Sequence, residues 1–106
     1  MMVMNQYQIK QLADEISIPD SGKKSIVIAD DSKAKIVLFA FAPGDGLAEH
    51  IAPMDAIIQI VTGTAILTIG SESVDGKPGT LIKMLPKTPH SIKATTPLVM
   101  LLTLIK

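Results

Sequence analysis

The chain contains no cysteine, which excludes disulfides, thiolate catalysis and cysteine-ligated zinc. Aromatic residues are nearly missing as well: Tyr7, Phe39 and Phe41 are the only three. The core must therefore be built from Ile, Leu, Val and Met, and the β-branched share of these favours sheet. Charge of one sign is also lacking, because ten basic residues are matched by ten acidic ones. No basic face is available for a phosphate backbone, and the stacking rings of single-strand binders are too few, so no nucleic-acid partner is expected. The longest apolar run, Leu98 to Ile105, includes a threonine and is far too short for a membrane span. Met1 to Tyr7 lacks the charged start and apolar run of a secretion signal. A soluble cytoplasmic protein with no membrane partner is the expectation.

What remains is 106 residues, 47% of them hydrophobic, enough for one domain spanning residues 1–106. Apolar residues at Ile9, Leu12, Ala13 and Ile16 predict a short N-terminal helix or turn. Pro19-Asp20-Ser21-Gly22 ends it. Short strands are then predicted at Ser25–Ala29, Ile36–Ala42, Ala56–Thr62, Thr64–Ile69, near Glu72–Val74, and at Thr80–Leu85, Ser91–Ala94 and Leu98–Ile105. Gly70-Ser71 is a hairpin signal, and Asp75-Gly76-Lys77-Pro78-Gly79 is a turn. Eight short strands with little helix predict an all-β sandwich or barrel. Several strands are apolar on both faces, including Ala56–Val61 and Leu98–Ile105. A sheet with one wet face should alternate apolar and polar. A homodimer formed by packing sheets together is the expected cover.

The chain has two histidines, each inside a glycine-bounded segment. His50 lies in Gly44–Gly63, GDGLAEHIAPMDAIIQIVTG, and His90 lies in Gly79–Ala94, GTLIKMLPKTPHSIKA. Two such segments in a β-rich chain predict two strands converging on one pocket.

These segments resemble the paired motifs of the cupin superfamily, with motif 1 at about 44–63 and motif 2 at about 79–94. Gly44, His50 and Gly63 fall in register with the first motif, and Gly79 and His90 with the second. The resemblance implies a cupin-type jelly-roll β-barrel, or double-stranded β-helix. In metal-binding cupins two histidines and a glutamate of the first motif, with the histidine of the second, hold iron, manganese, nickel or zinc. At the second-histidine position this chain has Ala52, at the glutamate position Ala56, and at the motif-2 asparagine position Ala94.

His50 and His90 are thus the candidate metal ligands, with Asp55, Gln59 and Glu49 as weaker neighbours. Side-chain alternation turns Glu49 and Asp55 away from the pocket of a regular strand. Gln59 shares its face with Ile57 and Val61. A catalytic metal usually takes three protein ligands. The leading expectation is therefore a small-molecule-binding domain without a complete metal site. Its pocket would be formed by His50, His90, Ala52, Ala56, Ile58, Ile60, Ile82 and Met84. Two alternatives stand beside it. One is a metal-dependent dioxygenase, isomerase or lyase acting on a small organic substrate. The other is an accessory homodimer that docks a partner protein.

Overall fold

In the computed structural model, which describes residues 6–106, the chain folds into nine strands. They are β1 (Lys23–Asp30), β2 (Ala34–Phe41), β3 (Gly46–His50), β4 (Asp55–Thr62), β5 (Ala65–Ile69), β6 (Glu72–Gly76), β7 (Leu81–Met84), β8 (His90–Ala94) and β9 (Leu98–Ile105). Eight match the expected runs to within two residues at either end. β3 is the ninth, hidden in the sequence by its Gly-Asp-Gly approach. The expected N-terminal helix is a single 3-10 turn, Leu12–Asp14, and the rest of that segment is extended.

The strands form two antiparallel sheets, β1-β2-β9-β4-β7 and β3-β8-β5-β6. Their facing sides enclose one core, in which Phe41, Ile58, Leu67, Leu98 and Met100 are fully buried. This is a jelly-roll arrangement, with inner residues stacked in layers along the strands. One layer of the larger sheet runs Val37, Leu102, Ile58, Ile82, and the next outward layer runs Lys35, Leu104, Ala56, Met84. The smaller sheet answers with Leu47, Ile92, Leu67, Val74, and then with His50, His90, Ile69, Glu72. Phe39 and Phe41 stack with ring centroids 5.7 Å apart, so two of the three aromatics fill one spot in the core.

The outer side of the larger sheet is also apolar, and the N-terminal segment covers part of it. Gln8 Nε2 donates to the Ile28 carbonyl on β1, the 3-10 turn lies against β4, and Lys24 Nζ donates to Ser17 Oγ back at β1. The segment therefore crosses the face and returns. Beneath its path the outward-facing Leu38, Ala40 and Val99 are buried. A short segment covers more of this face than its length suggested.

The β1–β2 turn is held by two carboxylates. Asp31 Oδ1 accepts from the backbone N–H groups of Lys33 and Ala34, and Asp30 accepts from Lys106 Nζ at 2.6 Å. The two N–H donors pull the Asp31 carboxyl below its ordinary range, and the Lys106 ammonium does the same for Asp30. A depressed folded-state value means that the stabilisation is complete above the unfolded carboxyl value, about 3.9, and disappears as pH falls through the folded value. Asp31→Ala is therefore expected to destabilise the chain at neutral pH and to flatten the pH dependence of its urea midpoint between pH 5 and 2. An unchanged acid limb in that titration would show that the turn carboxylates do not contribute.

Candidate functional site

The two histidines face each other across β3 and β8. His50 is the cross-strand partner of His90, and their ring centroids are 4.2 Å apart. Strand alternation alone would not produce this. Leu47 pairs with Ile92 and points into the core, so His50, three residues on, belongs on the other face. A β-bulge corrects the phase, with Ala48 and Glu49 on β3 spanning only Ser91 on β8. One extra residue re-aims the next side chain, a common use of bulges near binding sites.

Both rings are fixed by the same bond. His50 Nδ1–H donates to the Ala48 carbonyl and His90 Nδ1–H to the Thr88 carbonyl, each at 2.8 Å. A carbonyl can only accept, so Nδ1 carries the hydrogen in both rings. In the neutral rings each Nε2 then presents a bare lone pair. His90 is only 3% exposed. Among the described residues no solvent-sealed side-chain nitrogen or oxygen lacks a partner, so its unbonded Nε2 still opens to accessible space.

The mouth around this pair is framed by the β3–β4 and β7–β8 loops. Lys87, the only non-glycine residue with positive φ among those described (67°), donates its backbone N–H to the Ala52 carbonyl and ties the loops together. Ala56 and Met84 are buried on the mouth layer of the larger sheet, while Ile58, Ile60 and Ile82 lie deeper, in or against the packed core. Three mouth residues escaped the sequence reading: Ile69, which is paired with His90, and Lys35 and Glu72, which occupy the ends of the two mouth layers. Only strand register reveals them.

The weaker ligand candidates are placed elsewhere. Asp55 pairs with Ile105 on the outer side of the larger sheet, and its carboxylate meets Lys83 Nζ at 3.5 Å. Gln59 shares that outer side with Leu101. Glu49 lines a shallow concavity of about 630 Å³ on the outer side of the smaller sheet, beside Ser91 and Lys93. Among the described residues no cluster of three His, Asp or Glu side chains is arranged to hold a metal. The donor set thus supplies two imidazole nitrogens and no third protein ligand. It does not fit the three-ligand centre of a catalytic zinc or iron protein.

Comparison with known proteins agrees with the layered fold. No functionally curated protein matches the sequence. Among solved structures, a conserved protein of unknown function from Streptococcus pyogenes is 26% identical, with 97% of this chain and 90% of that one covered and a TM-score of 0.85. A cupin superfamily protein from Desulfitobacterium hafniense is 24% identical over 96% of this chain and 94% of that one, with a TM-score of 0.86. An RmlC-like cupin protein from Desulfovibrio desulfuricans is 20% identical over 94% and 97%, with a TM-score of 0.85. No described helix is long and apolar enough to cross a membrane. The cupin-domain family model matches residues 37–104, which hold every strand from β3 to β8 and both histidines, and the chain belongs to the cupin family.

Proposed function

We propose that this chain is a cytoplasmic small-molecule-binding cupin whose pocket works without a complete metal centre. The observation that carries this reading is the orientation of His50 and His90. Two Nδ1–H groups committed to backbone carbonyls leave two Nε2 acceptors beside the apolar Ile69, Ala56 and Met84, with the charged Lys35 and Glu72 only at the ends of the mouth layers. Bare imidazole acceptors favour a ligand that brings its own O–H or N–H donors, and Ala56, Met84 and Ile69 supply apolar contact for its carbon skeleton. The same lone pairs would suit a divalent metal, the basis of the enzyme reading, but Ala52 and Ala56 offer it nothing further.

The test combines metal analysis of untagged protein with thermal shifts against a panel of small organic compounds that carry hydroxyl or amide N–H donors. Saturation at 100 times Kd stabilises the fold by about 2.7 kcal/mol, a shift of several degrees. His50→Ala and His90→Gln are each expected to weaken binding at least tenfold, the loss of one hydrogen bond of about 1.4 kcal/mol. Near-stoichiometric iron, manganese, nickel or zinc, lost in both variants, would favour the enzyme reading instead. Shifts that both variants retain would move the ligand out of this pocket.

A further inference from the structure

The outer side of the smaller sheet holds a concavity of about 630 Å³, a volume typical of small-ligand sites. The β3 bulge builds it. Leu47 and His50 both face inward, so Ala48 and Glu49 between them are both left on the outer side, opposite Ser91. Gly46 lets β3 start close against β8, because a Cβ built on it would lie 1.8 Å from the Ile92 carbonyl oxygen. Register then sets two outer rows, Glu49, Ser91 and Thr68 in one and Gly46, Lys93 and Ile66 in the next. The floor is low where Gly46, Ala48 and Ser91 lie, and Glu49 and Lys93 rise from opposite corners of it. Ser91 and Lys93 are two residues apart on β8, about 6.6 Å, so both charged side chains reach the space above the floor. Neither makes an ion pair among the described residues. The third charged group at the rim, Asp45, is already engaged, because its carboxylate accepts from the Gly22 N–H at 2.9 Å.

We propose that this concavity binds a free aliphatic amino acid as its zwitterion. The α-ammonium meets the Glu49 carboxylate, the α-carboxylate meets the Lys93 ammonium with the Ser91 hydroxyl as a further donor, and the side chain lies on Ile66, which is 41% exposed. Charge selects this class. A simple anion attracted by Lys93 is repelled by Glu49, and a simple cation meets the reverse, so each gains one attraction and one repulsion. A zwitterion gains both attractions. No aromatic ring borders the concavity for the face of a sugar to stack on. Glu49 and Ser91 adjoin His50 and His90 in sequence but face the other side of the sheet. The proposal is therefore independent of what binds at the imidazoles.

Two-dimensional NMR titration tests this directly, with L-leucine, L-valine and L-alanine as probes at low salt. For so open a site a Kd on the order of a millimolar is expected, with saturable amide shifts at Gly46, Ala48, Ser91 and Lys93. Leucinamide lacks the carboxylate and N-acetyl-leucine lacks the ammonium, and each should bind roughly fivefold or more weakly than L-leucine. Lys93→Met should weaken L-leucine by a similar factor and leave leucinamide unchanged. Glu49→Gln should weaken L-leucine likewise and leave N-acetyl-leucine unchanged. Both side chains are exposed, so neither substitution disturbs the core. His90→Gln, at the mouth, should leave L-leucine binding as it is. No saturable shift with any of the three amino acids at twenty times the expected Kd overturns the proposal. So does binding that Lys93→Met and Glu49→Gln both leave unchanged, or binding lost in His90→Gln, which would place the amino acid at the histidine mouth.

Discussion

Gly63→Ala is expected to destabilise the fold by about 2–5 kcal/mol. Two costs combine there. Gly63 has φ +85°, in the left-handed region, and a Cβ built on it would lie 1.9 Å from the Pro97 carbonyl oxygen. The conformation costs an ordinary residue roughly 1–2 kcal/mol. The clash is with backbone, so relief requires separating the β4–β5 turn from the chain that enters β9, an overpacking cost of roughly 1–3 kcal/mol. Gly44→Ala isolates the first term, because Gly44 has φ +86° and nothing within 4 Å of its built Cβ. At about 4–8 °C per kcal/mol for a domain of this size, Gly63→Ala should lower Tm by roughly 8–40 °C and Gly44→Ala, which carries the φ cost of roughly 1–2 kcal/mol alone, by roughly 4–16 °C. Equal losses in paired thermal melts would assign the whole effect to φ and refute the role of the Pro97 contact.

The contrast between these glycines shows what was legible in the sequence. The motif spacing located Gly44, His50, Gly63, Gly79 and His90, because a jelly-roll barrel needs turns at fixed intervals along strands of similar length. That spacing also predicted the two-sheet fold. It said nothing about why each glycine is required, since the Pro97 contact joins residues 34 positions apart. The site was readable only in part for a similar reason. Composition identified the two histidines, and alternation along β4 correctly turned Asp55 and Gln59 outward. Alternation misleads on β3, where Leu47 and His50 share the inner face only because of the Ala48–Glu49 bulge. A bulge depends on the neighbouring strand as well as on local sequence, so no pattern within β3 reveals it. Lys35 is hidden for the same cause, because it reaches the mouth through register with Leu104, and Glu72 pairs with its hairpin neighbour Ile69 and joins the mouth only because Ile69 pairs with the distant His90. The N-terminal segment forms only a single 3-10 turn because its weak helical period counts for less than the apolar sheet face it lies on.

Restoring the missing donors should turn the mouth into a metal site. Ala52→His with Ala56→Glu is expected to raise affinity for Co(II) or Ni(II) by roughly a thousandfold or more over the two-imidazole chain, since each added donor contributes on the order of a few kcal/mol to a closed set. The geometry favours convergence. Ala56 is 1% exposed on the mouth layer, between Leu104 and Met84, facing the sheet that carries the histidines. Ala52 packs against the core, on the loop pinned by the Lys87 N–H. The His50 and His90 Nδ1 bonds already hold the rings as outer partners hold metal-bound imidazoles. The apo double variant should melt below the parent chain, because a carboxylate at position 56 is buried without a partner. Saturating metal should reverse that loss, through a linkage gain of about 2.7 kcal/mol at 100 times Kd. Ala52→His alone supplies a three-histidine set without a buried carboxylate, which separates poor folding from poor convergence. Calorimetry and the visible absorption of bound Co(II) report affinity and ligand number together. A well-folded Ala52→His or double variant with unchanged affinity would mean that these alanines do not face the imidazole pair.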